Sequence, residues 1–236
     1  MTFVYFDLDR TLIDHDSAER QAVQQFHERF HERIDESKSG FVTRWREVAE
    51  RFWEQYHEGT ISYWQQKRER VRTLLDRDED ELPDEEADEI LNWYLKHYKA
   101  ACELFPDARN CLDQLREVVD LGILTNGGKD LQYDKLQRTE IMDYFDPIVC
   151  SDQVGIAKPN EGIFQTACRR ADRDPAEVIY IGDSVELDVT PANQYGMTGI
   201  WLNRTEETAA ASSSFQRLTS LEGFPQLVLD QARPAS

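Results

Sequence analysis

Asp7 and Asp9 stand two residues apart at the end of a short apolar run, Phe3-Val4-Tyr5-Phe6. Side chains at i and i+2 of an extended segment point the same way. The two carboxylates can therefore face one pocket while Leu8 points to the core. Two carboxylates this close repel unless a cation or a shared proton relieves them. A hard divalent cation with oxygen ligands is the usual remedy. By itself the pair also reads as a strand followed by an acidic turn.

Three further groups have similar surroundings. Leu124-Thr125-Asn126-Gly127-Gly128 follows a second apolar run, and its backbone N–H groups and Thr125 hydroxyl can hold phosphate oxygens. Lys158, in Gly155-Ile156-Ala157-Lys158-Pro159, can neutralise a crowded anionic site. Tyr180-Ile181-Gly182-Asp183-Ser184, with Asp188 five residues after Asp183, supplies further oxygen ligands. Taken singly, these read as ordinary turns and a solvated lysine. Taken together, each lies at the carboxyl end of an apolar run, where open α/β sheets place their ligands.

The elements that must position them are strands alternating with helices. Continuous apolar runs at residues 3–6, 118–124, 148–150, 178–181 and 199–202 read as buried strands of a parallel sheet. Leu112, Leu115 and Val119 share a helical face, as do Ile163, Ala167 and Ala171, and more loosely Leu136, Ile141 and Phe145. The pattern predicts an α/β fold, a doubly wound Rossmann-like parallel sheet. More than a hundred residues separate the first two strands, where a crossover needs only about a dozen. Helical patterns near 17–34, 41–57, 61–76 and 84–102 fill the interval, so a helical cap domain is expected at 16–98 and a core at 1–15 with 99–236. A polar loop is expected at 205–214 and a loose tail at 233–236.

The formal net charge is −19, from 46 acidic and 27 basic residues, seven of them Lys and twenty Arg. Such a surface repels nucleic-acid backbones and anionic membranes. An acidic, Lys-poor chain suits a salt-rich cytoplasm, where counter-ions screen self-repulsion. Cys102, Cys111, Cys150 and Cys168 lie far apart with no C-x-x-C pair, and read as buried reduced thiols. No basic leader and no apolar run of membrane-span length is visible. A cytoplasmic protein is expected, with no nucleic-acid or membrane partner.

In order and context, D-x-D-x-T-L, a helical insertion, L-T-N-G, K-P and G-D-S-x-x-x-x-D resemble the haloacid dehalogenase-like hydrolases, in the helical-cap phosphatase branch. The resemblance covers nearly the whole chain. It implies a phosphatase that holds Mg²⁺ and hydrolyses a small phosphomonoester, such as a sugar phosphate, phosphoglycolate or a nucleoside monophosphate. It makes Asp7 the nucleophile that forms an aspartyl-phosphate, and Asp9 the acid and base for the leaving oxygen and the attacking water. Thr125 and Asn126 would bind the phosphoryl group. Lys158 would balance charge and orient Asp7. The metal would be held by Asp7, the carbonyl of Asp9, and Asp183. Thr11, Gly127, Ser184 and Asp188 would support the site. Arg10 stands where Gly is usual and is expected to pair with a cap carboxylate or face a second substrate anion. Pro191 also falls where Gly is commoner.

Two rival chemistries need weighing. Dehalogenases of this superfamily attack carbon without a metal and lack the second acid, whereas Asp9 is present here. His27-Glu28-Arg29-Phe30-His31 matches the H-E-x-x-H pattern of zinc metallohydrolases, with His57 and His97 as further imidazoles. Because H-E-R recurs at His31-Glu32-Arg33, a solvated helix face is the expectation. Trp45, Trp53, Trp64 and Trp93 are expected in the cap core. Hinges are expected near 12–16 and 99–103.

Overall fold

A computed structural model describes residues 2–205 and 215–232. The expected tail, and all of the expected polar loop except Thr205, lie outside the described residues. The chain divides into two compact units, Met1–Asp14 with Glu103–Ser236, and His15–Cys102.

The first unit is built on a six-stranded, all-parallel sheet. Its strands are β1 (Phe3–Phe6), β2 (Asp120–Thr125), β3 (Ile148–Cys150), β4 (Val178–Gly182), β5 (Thr198–Leu202) and β6 (Gln216–Leu218). They lie in the order β3-β2-β1-β4-β5-β6. Every residue of β1 and β4 is buried, as strands covered on both faces require, which is why they read as unbroken apolar runs. The order reverses between β1 and β4, the switch point at which such sheets bind ligands. Phe3 to Phe6 pair with Asp120 to Ile123 on one side and with Val178 to Ile181 on the other. That register brings the carboxyl ends of three strands level.

The helices of this unit are α5 (Ala108–Leu115), α6 (Lys129–Arg138), α7 (Ser151–Val154), α8 (Glu161–Ala171), α9 (Thr190–Tyr195) and α10 (Phe224–Ala232). Ile163, Phe164 and Ala167 of α8 pack on Tyr5, Leu124 and Tyr180 of the sheet. Three expectations shift. β2 begins at Asp120 rather than 118, because the chain is still turning off Leu115 and leaves Val118 41% exposed. Ile141 and Phe145 are buried, but from the turns after α6 rather than on its face. β6 had no sequence signal, since an edge strand reading Gln-Arg-Leu carries a single apolar residue.

The second unit contains α1 (His15–Phe30), α2 (Lys38–His57), α3 (Tyr63–Leu74) and α4 (Asp84–Ala101). Ser37 caps α2 through the Gly40 N–H, and Ser62 with Gln65 forms a capping box on α3. Ala18, Ala22, Val23 and Phe26 make one buried stripe on α1, and Ala87, Ile90, Leu91, Tyr94 and Tyr98 another on α4. Phe26 stacks on Phe41, and Trp45 lies 4.5 Å from Tyr94 between ring centroids. Ion pairs tie α3 to α4, with Arg68 paired to Asp84 and Asp88, and the buried Arg72 to Asp84 and to Glu69 of its own helix. Trp45 is buried as expected, but Trp64 is 54% exposed. Its helix turns it away from the apolar stripe, against the Lys67 ammonium. No helix among the described residues is long and apolar enough to cross a membrane.

Candidate active site

β1 ends on Asp7, whose N–H donates to the Ile181 carbonyl of β4 at 2.9 Å. This bond carries the ladder one residue past the strand and leaves the Asp7 carboxylate buried at the switch point. Lys158 meets it from the loop before α8. The Lys158 Nζ donates to Asp7 Oδ1 at 2.6 Å, to Asp188 Oδ1 at 2.7 Å and to the Tyr180 hydroxyl at 2.8 Å. All three protons of the ammonium are thus used. The Tyr180 hydroxyl lies 2.8 Å from Asp188 Oδ1 and 3.0 Å from the Leu124 carbonyl, with one proton to give. Asp188 Oδ2 accepts the Ser184 N–H at 3.0 Å.

Gly182 makes this approach possible, because a Cβ there would sit 2.4 Å from Asp188 Oδ2. Among the described residues, Asp7, Asp183 and Asp188 form the one acidic group whose ligand atoms all lie within 4.8 Å of each other. Burial raises Asp7 to about 7, against the Lys158 charge and with help from Asp188. Burial also drives Asp183 well up, together with Asp188 and Asp7, while Arg10 and Lys158 oppose the rise. Burial works against the Lys158 ammonium, yet Asp188 and Asp7 outweigh it and its pKa rises. Three crowded carboxylates, with Asp7 and Asp183 pushed toward the protonated form and oxygen donors only, fit a hard divalent cation.

Asp9 belongs to a different set of contacts. Lys135 Nζ donates to both its oxygens, at 2.7 and 2.8 Å, and Gln132 Nε2 donates to Oδ2 at 3.1 Å. Gln132 also donates to Thr125 Oγ1 at 2.9 Å. Both residues come from α6 and both are 1% exposed. The sequence reading missed them, as it missed Tyr180. A polar residue on a short helix reads as solvated, and a tyrosine within a strand reads as core.

The other expected residues take varied places. The Asn126 carboxamide brackets the Lys158 backbone, donating to its carbonyl at 2.9 Å and accepting its N–H at 2.7 Å. Its side chain therefore positions Lys158. Ser184 uses its hydroxyl to cap the turn at Val185–Val189, accepting from Leu187. Pro191 sits in the first turn of α9, where its missing N–H and fixed φ are tolerated. Arg10 has φ 62°, in the left-handed region, which accounts for glycine being usual there. The Thr11 hydroxyl is buried with no hydrogen-bond partner among the described residues.

The Thr11 carbonyl accepts from Arg204 Nη2 at 2.9 Å. Arg204 also forks onto Asp107 at 2.9 Å and lies 3.9 Å over the Phe105 ring. Nearby, Leu12 to Asp14 bond with Glu103 to Phe105 as a short antiparallel ribbon. Neither Arg204 nor Asp107 stood out in the sequence.

The H-E-x-x-H residues do not converge. His27 Nε2 lies 2.9 Å from the Glu36 carbonyl, and His31 falls in a 3-10 turn beyond α1, its Nδ1 3.0 Å from the Glu28 carbonyl. Glu28 pairs with Lys38 at 2.5 Å. The four cysteines are free and buried.

Residues 1–196 match the family model for haloacid dehalogenase-like hydrolases. The chain is 29% identical over 205 residues to the pyrimidine 5'-nucleotidase YjjG of Escherichia coli, covering 85% of each chain. Its structure is similar to the crystal structure of the putative hydrolase YfnB of Bacillus subtilis bound to magnesium, with a TM-score of 0.83, 20% identity, and 97% and 98% of the two chains covered. It is also similar to a 2-haloacid dehalogenase of Pseudomonas syringae, with a TM-score of 0.75, 26% identity, and 98% and 100% covered. With a doubly wound parallel sheet and an acidic group at its switch point, the chain is a hydrolase and belongs to the haloacid dehalogenase-like hydrolases.

Proposed function

We propose that the chain is a cation-assisted phosphatase that hydrolyses a small phosphomonoester through an aspartyl-phosphate on Asp7. The observation that carries this reading is the group of Asp7, Asp183 and Asp188, with Lys158 bonded to Asp7 and Asp188. A 2-haloacid is attacked at carbon, and its carboxylate charge lies off the atom that reacts, so no cation is needed at that atom. A phosphoryl group does need one, and its transfer depends almost wholly on positioning and electrostatic help.

On this reading Asp7 attacks phosphorus, one Asp7 O–P bond forms and the ester P–O bond breaks. Asp9 gives a proton to the departing oxygen. Water then attacks phosphorus, Asp9 takes its proton, and inorganic phosphate leaves with Asp7 restored. Lys158 holds Asp7 in place throughout. Thr125 and the backbone N–H groups after it bind the phosphoryl oxygens. Asp7, Asp183 and the carbonyl of Asp9 would hold Mg²⁺, which would supply positive charge to those oxygens. Asp188 serves the site through Lys158, which one of its oxygens already binds.

The helical unit at 15–102 is the substrate-selecting cap on this reading, with hinges at 12–16 and 99–103. A nucleoside monophosphate or sugar phosphate is the expected class. Free buried thiols and an acidic, Lys-poor composition support a reducing, salt-rich cytoplasm as its setting.

The test is phosphate release from an aryl phosphate in high KCl. Wild type with Mg²⁺ is expected to be active, while wild type with a chelator and Asp7→Asn with Mg²⁺ fall by about 10³-fold or more. Equal activity in Asp7→Asn overturns the nucleophile. Halide release from a 2-haloacid in chelator would select the carbon chemistry instead.

A further inference from the structure

We propose that Gln132 and Lys135 are positioning residues for Asp9, and that they set how basic a leaving group the enzyme can expel. The inference rests on the role of Asp9 proposed above. It goes further by assigning to α6 the tolerance for unactivated alcohols, so that alkyl rather than aryl or acyl phosphates are the substrate class served.

Gln132 and Lys135 are three residues apart on α6 and so share a face. Together they make three hydrogen bonds to the two oxygens of Asp9. The Gln132 contact comes from its amide nitrogen, and three bonds onto the roughly four lone-pair sites of the carboxyl leave one for the proton that Asp9 gives. Gln132 Oε1 is left buried without a partner among the described residues.

Neither residue suits a position chosen for stability. An orphaned buried carbonyl costs about 1–3 kcal/mol, and a buried ammonium costs several unless paired. Leucine at both positions would pack the same face of α6. Gly127 adds to the constraint, because a Cβ there would lie 2.0 Å from Gln132 Nε2. The turn after β2 is thus shaped around Gln132, which also bonds Thr125. One short helix therefore indexes the proposed acid and the proposed phosphoryl-binding hydroxyl to each other.

Fixing a catalytic group matters in proportion to the work asked of it. A misplacement of about 1 Å can lower a rate by about 10²-fold. A dinitrophenolate departs without a proton, whereas an alkoxide does not. Loss of the Asp9 anchors should therefore be felt on alkyl esters and hardly at all on activated aryl esters.

The experiment compares a primary alkyl phosphate with 2,4-dinitrophenyl phosphate. It uses the full chain with Mg²⁺ and reads kcat/KM, which reports the first phosphoryl transfer, before water enters. Asp9→Asn is expected to lose about 10³-fold on the alkyl ester and about 10-fold or less on the aryl ester. Lys135→Met and Gln132→Leu are expected to lose about 10- to 100-fold on the alkyl ester and less than about 3-fold on the aryl ester. Lys135→Arg, which keeps the charge, should recover part of the alkyl activity. Thermal melts establish that each variant is folded, and Gln132→Leu carries the test if Lys135→Met is not.

Equal losses on both esters, or none on either, in folded variants overturn the inference while leaving the phosphatase reading intact. A wild type inactive on both esters, or an Asp9→Asn that treats them alike, overturns the role of Asp9 and the inference with it.

Discussion

Two buried lysines flank the Asp7-Leu8-Asp9 segment, and they make an instructive pair. Lys158 grips Asp7 and Asp188 in an interior where every partner is buried, with 4%, 8% and 2% of the side chains exposed. Lys135 grips Asp9, whose side chain is 29% exposed. The first contact is a closed ion cluster with tyrosine as a further partner. The second is a clamp on an acid that remains open to its surroundings. Proteins isolate a charge fully where it must stay fixed, and leave it partly solvated where it must exchange protons. On the proposed mechanism Asp7 has the first task and Asp9 the second.

The sharpest way to break this comparison is to remove each ammonium. Lys158→Met leaves two buried carboxylates without their cation, and is expected to lower activity by about 10³-fold and stability by about 3 kcal/mol near pH 8. The loss should shrink as the pH falls and Asp7 protonates. Lys135→Met exposes Asp9 to water, and should cost only about 1 kcal/mol after screening. Urea unfolding at pH 5 and 8 measures both. Equal, pH-independent costs would mean that the two clamps do not differ in kind.

Glycine substitutions sharpen it at one remove. In Gly182→Ala the new methyl meets Asp188, held by three partners, and stability should fall by about 1–3 kcal/mol with loss of activity. In Gly127→Ala it meets the end of the Gln132 side chain, which can swing aside. That variant should stay within about 1 kcal/mol of wild type and show the leaving-group defect of Gln132→Leu. Thermal melts with the two-ester assay separate the cases.

The last effect concerns the cation. Asp7 is raised from 3.8 to about 7 in the fold. A carboxyl held more tightly protonated when folded stabilises below about pH 4, and that contribution is lost as pH rises through 7. A cation binds the ionised acids, so Mg²⁺ should raise the melting temperature more at pH 8 than at pH 5. At ten times its Kd the stabilisation is about 1.4 kcal/mol, or roughly 3–6 °C. The same ionic strength of KCl is the control. An Asp183→Asn variant that keeps the full Mg²⁺ shift would remove Asp183 from the ligand set.

Parts of this contrast are readable in the chain alone. β1 and β4 are buried on both faces, so their positions show as unbroken apolar runs, and a carboxylate directly after such a run stands out. Lys158 is readable only from its place in an ordered set of motifs. β6 is not readable, because an edge strand needs little apolar character.

The amino-acid sequence by itself determined where five of the six strands run to within a few residues, that a helical stretch interrupts them, and which acids end the strands. Those features are local, since they depend on period and on neighbours a few residues away. Only the tertiary structure decided that Gln132 and Lys135 are buried, that Asn126 brackets Lys158, and that Arg204 joins Asp107 to Thr11. Each of these depends on partners 32 to 193 residues distant. A polar side chain on a helix face is worth solvating unless a complementary charge is waiting, and that partner is supplied by the fold rather than by the local pattern.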